Sequence, residues 1–343
     1  MSDAVAFAPF LKRLAGGQTL SGDDSTRAFG AIMSGQVRED DIAKFLTLLA
    51  RRMPTVDEVV GGVRAMRAAM RKIKAPANAI DLCGTGGDGH NTFNISTATA
   101  FVVAACGVPV AKHGNRSASS RSGTADVLEV LGVKIDMEPA AAEACLAETN
   151  FCFLFAPHYH TAMKHVAPVR KKLGFRTIFN LLGPLSNPAQ VKRQLIGVFS
   201  AEWIETLAHV LNELGSEKAW LVHGADGLDE LTTTAATHVV ALDHGKVTRH
   251  DVTPEDIGVA RVPLASLRGG EAAENAEALR RLLEGETGAF RDIVLLNAAA
   301  ALVVGDKAAD LKSGAAQAAY AIDSGGAKTV LSRVATLSQR EAA

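Results

Sequence analysis

A chain of 343 residues that is 48% hydrophobic and 21% charged is too apolar for a disordered protein and long enough for a large α/β domain carrying a smaller one. Its formal charge of -1 excludes a global positive field toward nucleic acid or anionic membrane, so its partners are expected to be small molecules. Cys83, Cys106, Cys145 and Cys152 share no C-x-x-C spacing and lie in apolar stretches, which argues against disulfides and a zinc cage and fits reduced, buried thiols of a cytoplasmic protein.

Along the chain, Met1 to Ala15 places Asp3 ahead of Lys12 and Arg13, the reverse of a secretory signal. The first seventy or so residues read as consecutive short helices: Ile42, Phe45, Leu46 and Leu49 share one face, and Thr55 with Glu58 forms a capping box. From Asn78 the pattern becomes strand (79–83), glycine-rich loop (84–94), helix (96–106) and strand (108–112), a parallel βαβ unit. The run from Thr97 to Ala111 is shorter than the roughly 20 residues of a spanning helix, and Gly107 and Pro109 interrupt it, so it is a core segment. Further strands are expected at 152–156, 195–200 and 218–223, with a hairpin around Asp243 to Lys246. Met163 to Pro188 reads as helical and then broken by Pro and Gly, placed to rejoin the N-terminal helices as the other wall of a cleft. The expected fold class is α/β: a mostly parallel central sheet flanked by helices, with a smaller all-helical N-terminal domain. Its small domain spans 1–72, joined by about 163–190; 73–162 and 191–343 form the large one.

Gly84-Thr85-Gly86-Gly87-Asp88-Gly89 follows a strand and precedes a helix, so its backbone N–H groups and the helix start can hold phosphate oxygens. The bare pattern is also the G-x-G-x-x-G of dinucleotide-binding folds. That reading requires a ribose-binding acid about 20 residues further on, yet no Asp or Glu occurs between Asp88 and Asp126. A Walker A loop fails as well, because His90 and Asn91 stand where Lys and Ser or Thr belong. A plain βα turn needs fewer glycines and no following run of Asn91, Thr92, Asn94, Ser96 and Thr97, so the polar density points to a ligand.

Lys112-His113-Gly114-Asn115-Arg116-Ser117-Ala118-Ser119-Ser120 follows the second strand, and Gly123-Thr124-Ala125-Asp126 opens the next helix. With the glycine loop and Asn94-Ile95-Ser96-Thr97, these segments resemble the anthranilate phosphoribosyltransferase family, tryptophan-pathway enzymes of the nucleoside-phosphorylase-like fold. Ala156-Pro157 through Val169-Arg170, Arg176-Thr177-Ile178-Phe179-Asn180 to Asn187-Pro188, and His223-Gly224 to Asp229-Glu230-Leu231 agree with it. The resemblance runs from the helical opening to the helix at Asn297. Two positions depart from the family pattern: Thr161 follows His160 where many relatives carry Pro, and Thr124 replaces a commoner Ser while keeping the hydroxyl.

The resemblance implies transfer of the phosphoribosyl group of phosphoribosyl pyrophosphate (PRPP) to the amine of anthranilate. The expected enzyme is a cytoplasmic homodimer using Mg²⁺, two ions per monomer, with no nucleic-acid or membrane partner. Carried over position by position, it assigns PRPP to Gly84, Gly87, Asp88, Thr92, Asn94, Ile95, Ser96, Thr97, Lys112, His113, Gly114, Asn115, Arg116, Ser117, Ala118, Ser119, Ser120 and Thr124. Anthranilate falls to Gly84, Asn115 and Arg170, with His113 and Pro157 lining its pocket; the metal falls to Ser96, Asp229 and Glu230. No side chain is assigned as catalytic beyond these ligands. Backbone donors, hydroxyls and a lysine suit phosphates, hard oxygens suit Mg²⁺, and a guanidinium fork suits a carboxylate.

In isolation each motif has a plainer reading. Lys112 reads as a solvated strand end, Asp229-Glu230 as an acid pair at a helix N-terminus, and Arg170 with Lys171, Lys172 and Arg176 as a wet helix face. His158, His160 and His165 form no i,i+4 pair for a metal and read as pocket-wall or packing residues. Two rivals share the fold: a pyrimidine nucleoside phosphorylase, and a catalytically inactive nucleic-acid binder, which the balanced charge disfavours.

Overall fold

The computed structural model describes residues 7–117 and 121–340. Four helices open it: α1 (Ala8–Ala15), α2 (Gly22–Met33), α3 (Glu39–Ala50) and α4 (Val56–Ala69). The expected capping box starts α4: the Glu58 N–H donates to Thr55 Oγ1 at 3.3 Å and the Thr55 N–H donates to Glu58 Oε2 at 2.9 Å. Phe29 packs edge-on against Phe45, with ring centroids 5.3 Å apart, and buries the shared face of α2 and α3.

The α/β part begins with β1 (Ile80–Gly84), α5 (Ile95–Ala105), β2 (Val110–Gly114), α6 (Thr124–Val130), α7 (Pro139–Thr149) and β3 (Phe151–Phe155). Three short helices follow, α8 (Ala156–Tyr159), α9 (Ala167–Leu173) and α10 (Phe179–Leu182). Next come β4 (Arg193–Gly197), α11 (Ile204–Glu213), β5 (Lys218–Gly224), β6 (Thr237–Asp243) and β7 (Lys246–Val252). The chain closes with α12 (Ala272–Leu283), α13 (Ala289–Val304), α14 (Leu311–Asp323) and α15 (Gly326–Ser338). Among the described residues no helix is long and apolar enough to cross a membrane.

The seven strands form one sheet in the order β3-β2-β1-β4-β5-β6-β7. The first five run parallel, and β6 and β7 complete the edge as an antiparallel hairpin that pairs Asp243 with Lys246. Strand alternation assigns the faces: Leu195, Trp220 and Val222 join the cluster containing α5 and α13, whereas Ile196, Leu221 and Val240 join that of α11 and the N-terminal helices. Both faces of the inner strands are covered and those strands are largely apolar on both sides, whereas the edge strand β7 is mostly exposed and polar. In the segment between β3 and β4, α9 packs on α3 and α10 on α4, and Val169, Phe179 and Leu182 share the apolar cluster of the N-terminal helices.

The strand order decides where a ligand can bind. After β1 the chain moves outward to β2 and β3, then returns to place β4 on the other flank of β1. Connections therefore diverge between β1 and β4 and leave a crevice outside their carboxyl ends, the general ligand position in open α/β sheets. Two strands are displaced from expectation by two residues or more: β2 runs 110–114 rather than 108–112, and β4 runs 193–197 rather than 195–200. β4 starts early because Arg193 anchors the strand by pairing with Asp306, and it ends at Gly197 because the backbone of Asp229 presses against that residue.

Candidate active site

The glycine loop leaves β1 at Gly84 and is tied down at once: the Thr85 N–H donates to Gly197 O at 2.9 Å, and Thr85 Oγ1 accepts the Phe199 N–H at 2.9 Å. It then turns with positive φ at Gly86, Gly87, Gly89 and Asn91 before α5 begins. Opposite it, the loop between β5 and β6 brings in Asp229 and Glu230. A Cβ on Gly84 would lie 2.8 Å from Asp229 Oδ2, and one on Gly197 would overlap the Asp229 backbone. Asp229 is thus wedged between the ends of β1 and β4, where only glycine leaves room. Its Oδ2 accepts the Gly86 N–H at 2.9 Å.

Three carboxylates converge here. Burial, and after it the charge of Asp88, pushes Asp229 well above the usual carboxylate range. Burial and then Asp229 push Glu230 up, while Lys112 and the backbone amide of Ser96 pull it partly back. Such a cluster is short of positive charge. Among the described residues no three His, Cys, Asp or Glu side chains form a metal cage of their own. Asp229, Glu230 and the Ser96 hydroxyl offer hard oxygens of the kind that suit a dication such as Mg²⁺, which keeps waters or takes substrate phosphates as its other ligands.

The loop carrying the acids is built by residues the sequence reading did not single out. Asp226 Oδ1 accepts the Leu228 N–H at 3.2 Å and Oδ2 accepts the Thr232 hydroxyl at 2.7 Å. Asn297, buried on α13, takes the Leu231 N–H at 3.1 Å and gives its own N–H to Leu231 O at 2.8 Å. Together they grip the chain on both sides of Glu230. Their only sequence signal is polarity: Asp226 in a turn, and Asn297 within an alanine-rich helix.

Lys112 differs from a solvated strand end. It is 1% exposed, and its ammonium donates to Leu82 O and, at 3.1 Å, to Ser96 Oγ. Burial lowers it, opposed by the charges of Asp81 and Glu230. It is a buried cation beneath the crevice, holding the start of α5 against β1. Ser96 and Thr97 lie in the first turn of α5, and Thr97 Oγ1 donates to Thr124 Oγ1 at 3.2 Å, linking α5 to α6. Asn115, Arg116 and Ser117 follow β2, with Arg116 engaged by Asp126 at 2.8 Å and Glu129 at 2.6 Å. Ala118, Ser119 and Ser120 lie outside the described residues.

Arg170 of α9, expected to bind the acceptor, is half-buried. Its guanidinium donates to Asn180 Oδ1 at 3.4 Å and lies 5.7 Å from the Phe179 ring, and no carboxylate is paired with it among the described residues. It is neither a wet face nor a satisfied ion pair, and a cation in that state favours a carboxylate ligand. His113 and His160 are both buried, with ring centroids 5.1 Å apart. Burial holds His113 well below its ordinary value and His160 down at about 4. His160 therefore lies in the interior beside a predicted pocket residue, while Pro157 is exposed at the start of α8. Arg176 donates to Gly87 O and lies over the Phe199 ring at 4.2 Å, joining the α9–α10 segment to the glycine loop. An open cavity of ≈ 630 Å³ lies to one side, lined by Phe93, Arg268, Asn275 and Arg281; Asp88, Asp229, Glu230 and Arg170 are not part of its lining.

Residues 8–70 match the family described as "Glycosyl transferase family, helical bundle domain", and residues 76–328 match "Glycosyl transferase family, a/b domain". The anthranilate phosphoribosyltransferase of Methylocella silvestris is 54% identical over 335 residues, covering 98% of this chain and 96% of that protein. Among solved structures, the anthranilate phosphoribosyltransferase of Thermus thermophilus is similar with a TM-score of 0.92 at 42% identity, covering 96% of this chain and 99% of that one. The Saccharomyces cerevisiae enzyme, solved in complex with PRPP and Mg, has a TM-score of 0.89 at 28% identity over 98% of both chains. The yeast enzyme has also been solved with 4-fluoroanthranilate. With relatives this similar over nearly its whole length, the chain belongs to the anthranilate phosphoribosyltransferase family.

Proposed function

We propose that this chain transfers the phosphoribosyl group of PRPP to the amine of anthranilate, giving N-(5-phosphoribosyl)anthranilate and pyrophosphate, in L-tryptophan biosynthesis. The observation that carries the reading is the meeting of Asp229 and Glu230 with the glycine loop and the first turn of α5 at one crevice. In the reaction the C1′–O bond breaks with its electron pair passing to pyrophosphate, the amine nitrogen bonds to C1′, and the nitrogen then loses a proton. Leaving-group stabilisation and positioning suffice for such a path, and no strong base is required.

Backbone N–H groups of the glycine loop and of the first turn of α5 bind phosphate oxygens, with Lys112 fixing the height of that turn. The Thr92 to Thr97 run, the Lys112 to Ser120 segment and Thr124 complete the donor site. Asp229, Glu230 and Ser96 would hold Mg²⁺, two ions per monomer, which neutralises charge on the departing pyrophosphate. Arg170 binds the anthranilate carboxylate, and Gly84, Asn115, His113 and Pro157 surround the ring. The same reading divides the chain into a helical module (1–72 with about 163–190) and a large α/β module (73–162 and 191–343), and implies a cytoplasmic homodimer.

Loss of anthranilate fluorescence in the presence of PRPP and Mg²⁺, abolished by EDTA, is the test. Persistent fluorescence with retained PRPP binding would leave the donor and remove the acceptor; phosphorolysis of thymidine or uridine would favour the phosphorylase.

A further inference from the structure

Asn297 lies in the interior of α13 between Leu296 and Ala298, and it is 1% exposed. Asparagine is a poor helix former there, so its side chain must answer to something outside the helix. Its Oδ1 accepts the Leu231 N–H at 3.1 Å, and its Nδ2 donates to Leu231 O and to Ile293 O, both at 2.8 Å. The carboxamide thus meets both main-chain groups of one residue, as a neighbouring strand would, and its remaining N–H goes to the carbonyl one turn back in its own helix. A flipped amide would set its oxygen against two carbonyls, so the orientation is fixed. Leucine has the shape without the bonds, aspartate has no N–H to give either carbonyl, and glutamine is one methylene too long.

Leu231 is itself fully buried and follows Glu230 directly in the chain. It lies between the end of β5 at Gly224 and the start of β6 at Thr237, where the sheet ladder offers it no partner. The other end of Glu230 is held as well: its carboxylate accepts the Ser96 N–H from the first turn of α5. Because α13 packs on α5 as well as on β4 and β5, the loop carrying Glu230 and the helix carrying Ser96 are both referred to one rigid element. Groups that orient a metal ligand in this way set how well it binds.

We propose that Asn297 is a positioning residue for the divalent cation: by clamping both main-chain groups of Leu231 it fixes where Glu230 presents its carboxylate relative to Ser96, and so sets the affinity for the metal. The inference rests on the reading above that gives Mg²⁺ to Asp229, Glu230 and Ser96, and Asn297 itself touches neither metal nor substrate.

The test is a double-mutant cycle on the full chain, with Asn297→Leu measured in the wild-type and Glu230→Ala backgrounds. Calorimetric titration with Mg²⁺ in the presence of inorganic pyrophosphate is read beside urea unfolding and steady-state kinetics. In the wild-type background Asn297→Leu should raise the Mg²⁺ concentration for half-saturation by about tenfold and raise KM for PRPP at fixed Mg²⁺, with KM for anthranilate unchanged. Added Mg²⁺ should restore its turnover. In the Glu230→Ala background the same substitution should cost as much stability but leave the Mg²⁺ half-saturation where it was. An unchanged half-saturation in the wild-type background, or an equal rise in both backgrounds, overturns the inference and leaves Asn297 a core residue only. Should the leucine variant fail to fold, Asn297→Ser is measured in the same cycle and decides by the same criteria. A wild-type chain that binds no Mg²⁺ with pyrophosphate and consumes no anthranilate overturns the metal reading itself, and the inference with it.

Discussion

Asp229 and Glu230 stand half-buried beside Asp88, and burial together with mutual repulsion makes each reluctant to ionise until a cation arrives. Asp229→Asn keeps the shape but removes a ligand charge, so kcat/KM should fall by roughly 10²- to 10⁴-fold while the fold persists. Anthranilate fluorescence measures the rate, and unchanged turnover in saturating Mg²⁺ would remove Asp229 from the metal. His160 raises a separate question, of stability. Its folded value, about 4, lies below the 6.5 of an ordinary histidine, because burial disfavours the charged ring. The unfolded chain therefore binds the extra proton first, and the stability His160 supports is complete above 6.5 and drains away as pH falls toward about 4. The carboxylates at 229 and 230 are shifted upward and act with the opposite sign, so the comparison must be between variants. Between pH 6.5 and 4, the wild type should lose on the order of 3 kcal/mol more than His160→Leu, as read from urea midpoints. Parallel pH profiles would show that His160 contributes no such linkage.

At the scale of elements, α4 is anchored at both ends by charged side chains that reach beyond the helix. Glu58 is fully buried at its N-terminus; burial alone would raise it, but Arg52 and the N–H groups of Thr55 and Leu20 outweigh that and hold it below its ordinary value. Toward its C-terminus, Arg67 Nε and Nη2 both donate to Leu185 O, at 2.9 and 2.7 Å, and burial brings the guanidinium down to about 10. That bond ties α4 to the turn whose backbone groups at Gly183 and Ser186 reach His113 and His160. Arg67→Ala leaves a buried carbonyl unpartnered and should cost about 2–4 kcal/mol by urea unfolding, with a rise in KM for anthranilate and a smaller change for PRPP. A variant as stable as the parent would show that the turn is held by its own packing.

For the whole molecule, the α9–α10 segment connects the N-terminal helices to the glycine loop: α9 rests on α3, Arg170 donates to Asn180 of α10, and Arg176 reaches Gly87. Ligand binding should therefore be felt as global stability. PRPP with Mg²⁺ at about a hundred times its dissociation constant should stabilise the fold by about 2.7 kcal/mol and raise Tm, whereas PRPP with EDTA should not. Calorimetry decides, and an equal shift with and without metal would separate donor binding from the acid pair.

Features set by neighbours in the chain were legible from the sequence. The Thr55–Glu58 box, the strand–glycine loop–helix unit and the hairpin at Asp243 to Lys246 depend on local dihedral needs and hydrophobic period, and they stand where the pattern places them. The expectation of a phosphate site at the glycine loop rests on the same kind of local pattern. Only the tertiary structure decided that β4 returns beside β1, that Asp229 fills the gap between Gly84 and Gly197, that Lys112 is buried rather than solvated, and that Asn275 engages Asn94 from 181 residues away. A lone polar residue carries the same letter whether it faces water or a buried partner. Burial and pairing are properties of position in space, and those positions exist only once the sheet has closed around them.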